Sequence, residues 1–64
     1  MEKQSRKDQD DAEVFAKNAE AYYNLENYDS AIKEMDKAIS LEPRNSDYYY
    51  DRALAYNDSI GDYL

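Results

Sequence analysis

The sequence predicts an all-α chain: an antiparallel helical hairpin followed by a third helix. Three observations predict it. Apolar and small residues recur at i, i+3/i+4, i+7 spacing along most of the 64 residues. The one glycine, Gly61, and the one proline, Pro43, stand where helices would stop. Phe15, Ala19, Ala21 and Tyr22 return as Tyr49, Ala53, Ala55 and Tyr56, each 34 positions on. A fixed period of this size marks stacked helical units.

Residues 1–11 are charged and carry no apolar periodicity, so they read as a polar leader that frays or extends the first helix. A first helix over about 12–25 follows from Val14, Phe15, Ala19, Tyr22, Tyr23 and Leu25, with Asp10 and Asp11 suited to the positive end of its dipole. Glu26-Asn27 is a short break, and Tyr28 enters the turn. Asp29 or Ser30 is the expected cap of a second helix over about 29–41. Its apolar stripe is Ala31, Ile32, Met35, Ala38, Ile39 and Leu41, with Lys33, Glu34, Asp36 and Lys37 mostly on the other face. Pro43 ends it by disfavouring helical geometry at Glu42. Asn45 and Ser46 are competent caps for a third helix, whose expected buried face is Tyr49, Ala53, Tyr56 and Ile60. The domain division is therefore 1–11, 12–45 and 46–64.

Composition excludes several function classes. With no Cys and no His there is neither a disulfide framework nor a zinc site, and the usual nucleophile–base pairs of enzymes are missing. The chain therefore reads as no enzyme, with no cofactor and no metal. Asn57-Asp58-Ser59-Ile60-Gly61-Asp62 groups acidic oxygens near a glycine but lacks the ligand spacing of a calcium loop. A net charge of −7 repels phosphate backbones, and the one basic cluster, Lys3, Arg6 and Lys7, runs straight into Asp8, Asp10 and Asp11. No nucleic acid is expected. The sequence shows neither a membrane-spanning run nor a signal peptide, which gives the expectation of no membrane and a soluble, cytoplasmic protein.

Read position by position, Ala12 to Asn45 resembles a tetratricopeptide repeat (TPR), a helix–turn–helix unit of 34 residues. Phe15, Ala19 and Tyr22 take the aromatic and small positions of its first helix. Tyr28 is the hairpin aromatic, Ala31 and Ala38 are the small positions of the second helix with Met35 between them, and Pro43 closes the unit. Asn18 stands where the family usually has leucine, and Glu26 where it usually has the turn glycine. A second unit matches from Ser46 to Tyr56, then Gly61-Asp62-Tyr63 arrives one residue late. The resemblance implies a fragment of a right-handed α–α solenoid: one full repeat and the first helix of another. Small residues permit close helix crossing, and large ones fill the spaces beside it. On this alignment Phe15→Ala is expected to cost about 3–5 kcal/mol.

What the resemblance implies about function is protein binding in the concave face formed by first helices. Carried over, that face comprises Glu13, Ala16, Lys17, Glu20, Tyr23 and Asn24, joined by Asp47, Tyr50, Asp51, Leu54, Asn57 and Asp58. It is acidic, with Lys17 the lone base, and so suits a basic or aromatic peptide. The clamp that one subgroup uses for chaperone carboxylate tails maps to Ala16, Glu20 and Asp51, none of which supplies the required donor. The rival expectation is a homo-oligomer. Since the second unit stops at its first helix, two copies would cover the open face through Tyr48, Tyr49, Tyr56, Ile60 and Leu64.

Overall fold

A computed structural model describes residues 6–61. Its element order is α1 (Arg6–Asn24), α2 (Tyr28–Leu41) and α3 (Ser46–Gly61). The described residues contain no strand. The middle helix is the organising one: α2 packs on both α1 and α3, which touch each other far less.

Each boundary has a local cause. α1 is already helical at Arg6, well ahead of Ala12, since nothing between breaks a helix and Lys7 pairs with Asp11 one turn on at 2.9 Å. Its end is a Schellman turn. The Asn27 N–H donates to the Tyr22 carbonyl and the Glu26 N–H to that of Tyr23, both at 2.9 Å. Glu26 occupies the left-handed position with φ 63°, where glycine is the unstrained choice.

The expected side-chain cap of the second helix is corrected. α2 starts at Tyr28, so Asp29 and Ser30 are inside it, and Asn27 holds the N-cap position without a side-chain bond. The Asn27 carbonyl accepts from the Ala31 N–H, which closes the first turn. At the other end Glu42 has φ −132°, the extended backbone that a following proline imposes. α3 has a true cap, as the Asn45 side-chain oxygen accepts from the Asp47 N–H at 3.0 Å.

The core is narrow and made largely of alanine: Ala12, Ala19, Ala31, Ala38 and Ala55 are buried, with Met35 the large residue among them. Phe15, Ala16, Tyr23, Ile32, Leu41 and Tyr48 pack around this spine and are only partly buried. Small residues on facing helices let the backbones approach, and the larger ones close the flanks. Phe15 therefore loses less on truncation than a fully buried ring, about 2 kcal/mol rather than 3–5.

The expected buried face of the third helix is also corrected. Tyr49, Tyr56 and Ile60 are 40%, 49% and 59% exposed, and Ala53 is exposed with them. The face turned inward is instead that of Tyr48 and Ala55. Tyr22, at an aromatic position of the repeat's first helix, is 38% exposed, while the hairpin aromatic Tyr28 is half-buried. The reason is the neighbour each helix meets. α1 packs on α2 through Phe15 and Ala19, whereas α3 meets the same core through the stripe of Tyr48 and Ala55.

Candidate functional site

α1 and α3 both pack on α2 and leave a groove of about 580 Å³ between them. Its floor is Ala19, Ala31, Met35 and Ala55. One wall is the α1 face Glu13, Ala16, Lys17, Glu20, Tyr23 and Asn24. The other is Asp47, Tyr48, Asp51 and Leu54 of α3, with Asn45 from the preceding turn. These residues share a wall because they repeat every three or four positions along their helices.

Of the residues expected at the concave face, Glu13, Lys17, Glu20, Tyr23, Asn24, Asp47, Asp51 and Leu54 line this groove, as does Ala16. Tyr50, Asn57 and Asp58 do not line it; Tyr50 and Asn57 are exposed on α3 and Asp58 is half-buried. Tyr48 and Asn45 line it without having been expected there. Tyr48 sits three and seven positions before Asp51 and Ala55, so the helical period carried the signal. Tyr48, also expected at the self-association seam, is half-buried, while Tyr49, Tyr56 and Ile60 of that seam are exposed. Leu64, the last member of that seam, lies outside the described residues, as does Asp62 of the acidic segment weighed for calcium.

The electrostatics of the walls are dominated by Glu13, Glu20, Asp47 and Asp51, with Lys17 as the base among the lining residues. Burial pushes the Asp51 carboxyl above its usual value, and the neighbouring Asp47 and Glu20 carboxylates add to the shift. The Tyr48 hydroxyl is also raised, by burial first and then by the nearby Glu42 carboxylate. The Tyr23 hydroxyl donates to the Asp58 carboxylate, a direct side-chain tie between α1 and α3. That bond, with burial and the Asp58 charge behind it, raises its pKa from 10.0 to about 12. The ring is held edge-on to Tyr28, centroids 5.5 Å apart. Tyr23 is thus a wall fixed from both sides.

The described residues hold no group of three or more His, Cys, Asp or Glu side chains arranged to bind a metal. No described helix is long and apolar enough to cross a membrane.

Comparison with known proteins agrees with this architecture. The family description "Tetratricopeptide repeat" matches residues 12–45, more than half of the chain. The chain is also 42% identical over 45 residues to serine/threonine-protein phosphatase 5 of Homo sapiens and to that of Rattus norvegicus. The matched stretch is 70% of this chain but 9% of each phosphatase. No solved structure matches closely enough to count. With three helices, a spine of alanines at the crossings and a match across the whole first hairpin, the chain belongs to the tetratricopeptide repeat family.

Proposed function

We infer that this chain is a non-enzymatic protein-interaction module whose acidic groove receives a basic or basic–aromatic peptide. The observation that carries the reading is Asp51. Its carboxyl is held up by burial and by Asp47 and Glu20, so the groove already concentrates more negative charge than it neutralises. A cationic side chain entering there relieves that repulsion, which favours both encounter and specificity. Leu54, Ala16 and the ring of Tyr48 offer apolar contact beside the acids. The surface of a half-buried Tyr is a low-entropy anchor for an extended ligand.

Fluorescence anisotropy with a labelled peptide of alternating Arg, Ala and Tyr tests this. Binding is expected to weaken as salt rises, because the partners are exposed charges. The double substitution Glu20→Lys, Asp51→Lys is expected to lower affinity by about tenfold or more, through like-charge juxtaposition. Unaltered binding in that variant sinks the groove assignment.

The uncovered face of α3 favours a second reading, self-association. Tyr49, Tyr56 and Ile60 form an exposed apolar stripe that a second copy, or further repeats of a longer array, would cover. Sedimentation across a concentration series decides it: a dimer that dissociates on Ile60→Asp supports the seam, and a monomer throughout removes it.

A further inference from the structure

α1 and α3 lie side by side and point the same way. The Glu13 charge reaches Tyr48, that of Glu20 reaches Asp51, and Tyr23 bonds Asp58, so the partners ascend together along both helices. The C-terminal turns of the two helices, each with the partial negative charge of a helix end, therefore come together beside Tyr23 and Asp58. Neither last turn holds a basic residue to offset it. Facing acids add to the repulsion. Glu13 and Glu20 on α1 stand across the groove from Asp47 and Asp51 on α3, with Lys17 as the base among the lining residues.

What opposes this repulsion is local. α1 and α3 touch each other far less than either touches α2. Ala55 is the last residue of α3 in the core, and beyond it Tyr56, Asn57, Ile60 and Gly61 are exposed. The bond from the Tyr23 hydroxyl to the Asp58 carboxylate ties this last stretch to α1. Its donor is a neutral phenol, so it holds the walls together without cancelling any of their charge.

We propose that the Tyr23–Asp58 bond is a charge-sensitive clasp, closing one end of the acidic groove when cations lie between its walls and loosening when they do not. The clasp regulates the groove, and it rests on the peptide-binding reading only for the kind of cation that fills the cleft. A basic side chain of a ligand and dissolved salt act alike here. Both reduce the repulsion that Glu20, Asp47 and Asp51 exert across the groove. Burial holds the Asp51 carboxyl up, and the Asp47 and Glu20 carboxylates push the same way, as crowded like charges do. Ordinary ion pairs respond in the opposite sense: Lys7–Asp11, Lys37–Glu34 and Arg52–Asp36 weaken as salt rises. A segment that tightens in salt is therefore the signature of the clasp.

Backbone amide exchange of the full 64-residue chain, read by NMR without peptide, tests the clasp directly. Raising sodium chloride from about 0.01 M to about 0.15 M shortens the Debye length from about 30 Å to about 8 Å. Over residues 57–61 this is expected to slow exchange by about threefold relative to the middle of α2, as the end of α3 closes on α1. Asp51→Asn should give the same slowing at low salt, and Tyr23→Phe should abolish the salt response of this segment. Asp58→Ala takes the place of Tyr23→Phe if that variant loses its helical circular dichroism. Adding the labelled peptide of alternating Arg, Ala and Tyr to the wild type at low salt should slow the same amides. A salt response spread evenly over all three helices overturns the proposal, as does one that survives loss of the bond. Faster exchange of the segment in salt overturns it equally. Closure in salt with no peptide binding upholds the clasp and removes the peptide reading of the groove. Peptide binding that leaves residues 57–61 unchanged overturns the clasp and keeps that reading.

Discussion

The hydroxyl of Tyr23 on α1 donates to the carboxylate of Asp58 on α3, joining two helices that otherwise meet mainly through α2. The resemblance puts Tyr23 at the concave face, and in the fold its hydroxyl also ties the two groove walls together. The neutral phenol is the form that donates. The stabilisation from this bond is therefore complete below the ordinary tyrosine value of 10.0 and is lost as pH rises towards about 12. In an alkaline titration followed by phenolate absorbance, Tyr23→Phe is expected to lose one late-ionising tyrosine relative to the wild type, while Tyr48, raised by burial and Glu42, stays late in both. The same variant should speed amide exchange in the last turns of α3 while leaving total helicity unchanged.

Asp51 behaves in the opposite sense from a salt-bridged carboxylate. Its folded-state pKa is raised, so its ionisation works against folding, and the stability it contributes at low pH is lost as pH rises through that pKa. Asp51→Asn should melt at a higher temperature than the wild type at neutral pH, with the gap closing in acid. A residue whose removal stabilises the fold while weakening peptide binding is the expected mark of a binding group. Thermal melts at both pH values, run beside the anisotropy assay, check the two effects together.

Glu26 carries the strain of the first turn. Its φ of 63° is costly for a residue with a Cβ and free for glycine. Glu26→Gly should stabilise the chain by about 0.5–1 kcal/mol, the relief of strain outweighing the added freedom of the unfolded chain. Chemical denaturation is the direct measurement, with an unchanged m-value expected.

Ala38 has no exposed surface and stands among Ala12, Ala19, Ala31 and Ala55. Ala38→Leu should force the helices apart and cost about 1–3 kcal/mol. Ala53→Leu, the corresponding enlargement on the open face of α3, should leave the melting temperature nearly unchanged. Melts of the pair test whether position in the stack, rather than residue type, sets the cost.

Much of the architecture was legible in the residues. The apolar period gave three helices, Pro43 gave the end of α2, and Asn45 gave the cap of α3, because each acts within a few residues of itself. Most of the residues that line the groove were named through the resemblance to the repeat family, whose first-helix face carries Glu13, Lys17, Glu20, Tyr23 and Asn24 here. The helix through residues 6–11 matches one of the two readings open for the polar leader, because a polar stretch without a breaker can continue a helix with no apolar signal. The cap of α2 was misread: Asp29 and Ser30 suit a cap, but the Schellman turn at Glu26 and Asn27 delivers the chain into helix by Tyr28.

The sequence by itself determined the repeat unit, its length and the residues small enough for helices to cross. Only the tertiary structure decided which copy of each position is covered. Ala19 is buried and Ala53 exposed, although the two are equivalent in the repeat, and Ala21 and Ala55 show the reverse. A repeat encodes both of its packing faces in every copy, and burial depends on whether a neighbouring helix occupies each one. Local sequence carries no record of that neighbour.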